Sequence, residues 1–309
     1  MRDGRMTRRD FFRRSLATGA VAYGLGQLGA HLGWEEEAEA AGGPTLVIAN
    51  KSHDPVALVR AAVNGLGGMG RFVRKGARVA IKPNMGWARA AEQAANTNPR
   101  IVAEVVKMCL QAGAREVKVV DHPVDPPEEV RRLTGIEPAA KAAGARVLTA
   151  GNSPEMYSRV AIPRGKVLKS AEVLLDLQHA DVIINLPIAK VHNGTVLTLA
   201  AKNLMGAVLN RGAWHSSSSL DQCIADFLTA VRPQLTILDA WRMLLTNGPK
   251  GPGRTKDQFT VAASTDPVAI DAFGASLLSQ QPEHIGHIRL AHEMGLGEID
   301  LKRVQMKYV

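Results

Sequence analysis

The sequence predicts an α/β fold, a mostly parallel sheet flanked by helices. Two observations carry that expectation. Short apolar runs alternate with amphipathic ones along the chain, and the segments between successive runs are long enough for βαβ crossovers. Thr45 to Ala49 reads as the first strand and Arg78 to Ile81 as the next. Arg100 to Ala112 has apolar residues at helical spacing (Ile101, Val105, Met108, Cys109) and stops at Gly113. Glu116 to Asp121, Val147-Leu148, Ala180 to Leu186, Leu235 to Leu238 and Val261-Ala262 continue the strand series, with helical segments over 195–209, 220–231 and 266–278.

The pattern is Rossmann-like, with one interruption near 158–168. There Val160 to Val167 reads as a small β-hairpin around Pro163-Arg164-Gly165. Thr246 to Gly253, rich in glycine and proline, is the clearest loop. Asp266-Pro267 has the form of an N-cap followed by proline at the first helical position.

The start of the chain reads as an export signal. Arg8-Arg9 precede Phe11-Phe12, an uncharged stretch runs from Leu16 to Gly33, and Ala38-Glu39-Ala40 offers a signal peptidase site. The order resembles a twin-arginine (Tat) signal, an address read by the Tat translocon. The uncharged stretch is too short and too rich in glycine to favour a transmembrane anchor. The expected division is therefore a signal peptide over 1–40 and one domain over 41–309. The mature protein would lie in the periplasm or cell exterior with no transmembrane span.

That domain keeps 32 basic and 23 acidic residues, so its net charge remains +9. Such a balance favours anionic partners. Aromatic residues make up only 4% of the chain and interleave with no Lys/Arg block, which argues against specific nucleic-acid binding. The two cysteines, Cys109 and Cys223, cannot furnish a four-thiolate iron–sulfur cluster, and both fall in apolar runs that predict burial. Gly65 to Gly70 lacks the Gly-Lys-Ser/Thr ending of a phosphate loop, and no Gly-x-Ser-x-Gly elbow occurs.

Polar residues recur where strands end, and ligands in open α/β sheets bind beyond the carboxyl ends of strands. Lys82-Pro83-Asn84, Asp121-His122, Lys190-Val191-His192 and Asp239 are such ends. Lys202-Asn203, Arg211 and His215 follow in a segment that can fold over the same edge. Lys82, Lys190, Lys202 and Arg211 together would hold a carboxylate or phosphate. His192 or His215 suits general acid/base chemistry, and Asp121 or Asp239 would orient the imidazole or hold a metal. No motif with fixed metal-ligand spacing identifies the metal.

These same residues carry a family resemblance. Ile81-Lys82-Pro83-Asn84, Asn98-Pro99, Ala180 to Pro187, Lys190-Val191-His192, Lys202-Asn203-Leu204-Met205-Gly206 and Thr265 to Ala272 resemble, in order, the DUF362 family of unknown function. The resemblance runs from about Thr45 to about Leu277. Members often carry Tat signals, and some associate with ferredoxin-type iron–sulfur modules, whose cysteines this sequence lacks.

Two functional expectations follow. One is an enzyme acting on a small anionic ligand, with His192, Lys190 and Asp121 catalytic and Lys82, Asn84, Lys202, Asn203, Arg211, His215 and Asp239 binding. The alternative is a non-catalytic cofactor- or metal-binding accessory protein that serves an exported redox partner.

Overall fold

The computed structural model describes residues 43–215 and 219–309. The expected signal over 1–40 lies outside the described residues. Pro44–Val309 forms one compact unit.

Its centre is a parallel run of β4 (Arg146–Thr149), β3 (Glu116–Asp121), β2 (Arg78–Pro83), β7 (Val182–Leu186) and β10 (Leu235–Leu244). Beyond β10, the sheet adds antiparallel β11 (Thr255–Ser264), then β1 (Thr45–Ala49) antiparallel to β11, and β12 (Gln305–Tyr308) parallel to β1. The sheet is thus mostly parallel with an antiparallel insertion, and the expected α/β class holds.

Alternate residues of each strand feed two separate cores, one per sheet face. Val47, Val79, Ile81, Val119 and Ile184 pack with the helices Pro55–Gly65 and Pro99–Gln111. Leu46, Ile48, Ala80, Val120 and Leu238 face the other way, towards Leu220–Leu228, Pro267–Leu277 and Gly286–Glu293. Three helices begin alike. Asp54, Asn98 and Asp266 accept a backbone N–H of the first turn, and Pro55, Pro99 and Pro267 follow each cap.

The structure corrects three expectations. The hairpin near 158–168 is longer, and forms its own sheet from β5 (Tyr157–Ala161) and β6 (Ser170–Leu174). Val167, expected in its second strand, lies in the connection, where Val167 and Leu168 donate backbone N–H groups to Asp226 Oδ2 at 2.7 and 2.8 Å.

The helix expected over 195–209 is mostly something else. The strand β8 (Ile188–His192) turns back into β9 (Val196–Thr198), and only single helical turns follow, at Ala200–Asn203 and Leu204–Ala207. Cross-strand pairing of Val196 with His192 and of Thr198 with Lys190 outweighs the helical spacing of the apolar residues. Buried Asp271 then receives the N–H groups of Ala200 and Ala201, so a new turn starts there.

The strand read as ending at Leu238 continues to Leu244 and pairs with β11 along a long hairpin. Asp239 therefore sits within a strand, between Ile188 and Val261 on its neighbours.

Candidate functional site

A cleft of about 770 Å³ opens at the carboxyl edge of the sheet, beyond β2, β3 and β8. Its floor is an ion pair. Lys82 Nζ lies 2.9 Å from Asp121 Oδ1, and both side chains are buried. Lys82 also donates to Pro83 O at 2.6 Å, and Asp121 Oδ2 accepts from Met85 N at 2.6 Å. Burial lowers the Lys82 pKa, and Asp121 opposes that effect. Gly206 passes directly over the pair. A Cβ there would stand 2.2 Å from Asp121 Oδ1 and 2.7 Å from Lys82 Nζ, so the approach requires glycine.

A chain of amides crosses the floor. Lys190 Nζ, fully buried, donates to Ala95 O at 2.5 Å and to Asn84 Oδ1 at 3.0 Å. Asn84 Nδ2 donates to Asn203 Oδ1 at 3.0 Å, and Asn203 Nδ2 donates to Asn185 Oδ1 at 2.8 Å. Asn185 Nδ2 ends the chain on Ala200 O at 2.9 Å. Each amide has one orientation that satisfies both neighbours, which fixes the floor. Burial first, then the nearby Lys202 charge, lowers the Lys190 pKa well below its ordinary value.

The walls hold the groups a ligand can reach. Lys202 is 7% exposed, and its Nζ has Met205 Sδ, a weak acceptor, at 3.4 Å. Burial, then Arg211, brings its pKa from 10.5 down to about 8. Arg211 donates to the carbonyl oxygens of His122 and Pro123 at 2.5 and 2.7 Å. Neither cation forms an ion pair with a carboxylate among the described residues. The cleft is lined by five Lys/Arg side chains (82, 190, 202, 211 and 250); Asp121 pairs with Lys82 and Asp125 with Lys250, which leaves Lys190, Lys202 and Arg211 in excess. That excess is a built field for an anion.

The histidines behave differently from free imidazoles. His192 Nδ1 receives the N–H groups of Gly194 and Thr195 at 2.9 and 3.3 Å, which places the proton of the neutral ring on Nε2. Burial, then Lys202 and Lys190, pushes its pKa to about 2. His192 is therefore a fixed hydrogen-bond donor at neutral pH, and Lys202 is the cleft group poised to exchange a proton there. His215 stacks on His192 with centroids 6.1 Å apart, and burial, Lys202 and Arg211 lower its pKa too. His122 is held by Val208 O and Asn152 Oδ1, both at 3.1 Å.

The structure gathers Lys82, Asn84, Asp121, Lys190, His192, Lys202, Asn203, Arg211 and His215 around this one cleft. Asp239 is not among its lining residues. Its carboxylate accepts from Asn98 N at 2.8 Å and Trp241 N at 3.0 Å, and burial raises its pKa to about 6. Asp239 thus anchors a helix start and the β10 bulge.

Sequence reading passed over Asn185, Gly206, Trp87 and Lys250 as site residues, and gave Asp271 no role. Trp87 and Lys250 line the mouth, where Lys250 Nζ sits 5.7 Å from the indole centroid and 2.8 Å from Asp125 Oδ1. Lys250 belongs to the glycine- and proline-rich loop. Arg89 ties that loop down by donating to Lys250 O and Gly251 O at 3.3 and 3.4 Å. A Cβ on Gly248 would meet Val191 O at 1.9 Å, so glycine lets the loop lie against β8.

Both cysteines are buried, and burial pushes the Cys109 thiol up to about 12. Among the described residues, no three of His, Cys, Asp and Glu are grouped so as to hold a metal ion. Likewise, no described helix is long and apolar enough to cross a membrane.

Among proteins of known name, the chain is 27% identical over 248 residues to the thylakoid-associated protein sll1697 of Synechocystis sp., covering 78% of this chain and 75% of that one. Two solved structures are more distant. A structural-genomics protein from Thermotoga maritima superposes with a TM-score of 0.44 at 11% identity, over 73% of this chain and 59% of its own. The lactate racemase apoprotein from Thermoanaerobacterium thermosaccharolyticum gives 0.47 at 10% identity, over 76% and 57%. The chain thus spans less than three-fifths of either structure. The sequence matches the family described as "Domain of unknown function (DUF362)" over residues 79–276, and the chain belongs to that family.

Proposed function

We propose that the cleft binds a small anionic ligand, a carboxylate or phosphate, and that the protein acts on it as an enzyme. The observation that carries the reading is the pair of wall cations, buried Lys202 and half-buried Arg211, without a carboxylate ion-pair partner among the described residues in a cleft of positive excess. Burying a cation is costly until a counter-charge arrives, so an anion is favoured there twice, by attraction and by relief of that cost. His192 Nε2–H supplies a neutral donor beside them, and Lys202 holds or releases the proton. Lys190 and Asp121 act as positioning residues within the floor, through Asn84 and Lys82.

Titration calorimetry of the full chain with inorganic phosphate and with succinate tests the binding. Saturable binding that weakens about tenfold or more in Lys202→Met and in Arg211→Met supports it. Absence of saturable binding, or binding indifferent to both changes, refutes it.

We also propose export by the Tat route, on the strength of Arg8-Arg9, Phe11-Phe12, the uncharged stretch and Ala38-Glu39-Ala40. Replacing Arg8 and Arg9 by lysine should retain the protein in the cytoplasm of an exporting cell. Unchanged fractionation would contradict that route.

A further inference from the structure

The described tryptophans are used in two ways. Trp214 and Trp241 pack against the two hydrophobic clusters of the sheet faces. Trp87 belongs to no hydrophobic cluster, yet its backbone is tightly held. Its N–H donates to Asn96 Oδ1 at 3.1 Å, and its carbonyl accepts from Asn96 Nδ2 at 2.9 Å. On one side Gly86 O accepts from Val124 N and Asp125 N, and on the other Ala88 N donates to Asp125 Oδ2 at 2.9 Å. A half-buried indole thus stands on the cleft wall from a tightly held backbone, with a lysine over its ring and outside every hydrophobic cluster of the described residues. An aromatic ring kept out of the core and facing a cleft offers apolar surface for a ligand to lie against.

Size points the same way. A cleft of about 770 Å³ falls within the roughly 300–1,000 Å³ of pockets that bury drug-sized ligands, and a lone phosphate or short carboxylate leaves most of it empty. The cations Lys202 and Arg211 and the indole of Trp87 line this same cleft.

Resting on the anion-binding reading above, we infer that the ligand is a planar ring joined to a phosphate or carboxylate. Its anion is held by Lys202 and Arg211, and its ring lies against Trp87. Stacking of a base on an aromatic side chain contributes about 5- to 150-fold in affinity, as read by alanine substitution. Trp87 is then the residue that distinguishes ring-bearing anions from plain ones.

The test compares phenyl phosphate and AMP with ribose 5-phosphate and inorganic phosphate on the full chain by titration calorimetry, in the wild type, Trp87→Leu and Trp87→Phe. At least one ring-bearing probe should bind at least about fivefold tighter than ribose 5-phosphate. Trp87→Leu should abolish that difference while leaving ribose 5-phosphate unchanged, and Trp87→Phe should restore part of it. Equal binding of ring-bearing and ring-free phosphates in the wild type overturns the inference and leaves the anion site standing. A preference for rings that survives in Trp87→Leu, with melting temperature unchanged, also overturns it. Failure of every phosphate to bind removes the anion-binding reading itself, and this inference with it.

Discussion

Replacing Lys202 with methionine should make the protein more stable and less able to bind an anion. The side chain is 7% exposed, and its ammonium faces Met205 Sδ at 3.4 Å in place of an anion. Burial and the Arg211 charge bring its pKa from 10.5 to about 8. At about 1.4 kcal/mol per pH unit, the fold carries a penalty of about 3 kcal/mol whenever this lysine is charged in both folded and unfolded chains. Because the folded pKa is the lower one, the penalty is full below pH 8. It shrinks between 8 and 10.5 as the folded form gives up its proton, and it vanishes above 10.5. Methionine fills a similar volume without charge. Urea unfolding at pH 7 should therefore show Lys202→Met more stable than wild type by up to about 3 kcal/mol, with the advantage fading by pH 10. Titration with phosphate should show affinity reduced about tenfold or more. A Lys202→Met protein less stable than wild type at pH 7, or equally advantaged at pH 7 and 10, would refute the reasoning.

Other expectations concern the floor and the rings. Gly206→Ala forces a methyl into the Lys82–Asp121 pair and should lower unfolding free energy by about 1–3 kcal/mol, with loss of phosphate binding; stability within 0.5 kcal/mol of wild type would contradict the close approach. Asp271, whose pKa burial raises to about 7, keeps a proton that the unfolded chain loses near 3.8. Stability should thus fall as pH rises from 4 to 7, and Asp271→Asn should flatten part of that fall in pH-dependent urea unfolding. The His192 ring, with its pKa pushed to about 2, should show constant imidazole NMR shifts between pH 5 and 8, whereas a midpoint near 6.5 would restore it as a general base.

Much of this molecule is legible where a single local signal sets the outcome. The apolar runs at 45–49, 78–81 and 116–121 have no competing pattern, and Asp266-Pro267 announces a helix start by its own chemistry. The polar residues of β2 and β3 were found because strand ends and polar side chains coincide, and Lys190 and His192 because they follow the strand ending at Leu186, although they lie in a further strand, β8, that the spacing does not announce. Asp239 satisfied the same pattern and misled, because nothing local reveals that β10 runs on to Leu244.

What stayed hidden depends on distant partners. Asp271 acts on Ala200 and Ala201, and Gly206 on Asp121 and Lys82, across separations that no spacing rule spans. His192 looked like a base because its two backbone donors, Gly194 and Thr195, count only once the β8–β9 turn exists. Trp87 did leave a trace, an isolated tryptophan after Gly86 in an alanine-rich segment that joins neither a strand nor a helix of the expected series.

The central claim is that an anion neutralises buried cleft cations, and its most direct measure is the proton taken up on binding. Sulfate does not itself titrate near neutrality, so calorimetry at pH 8.5 in buffers of different ionisation enthalpy counts protons gained by the protein alone. With Lys202 mostly neutral above a pKa of about 8, sulfate binding should draw in about half a proton or more per anion, and less in Lys202→Met. Heats independent of buffer, or proton release on binding, would contradict the account.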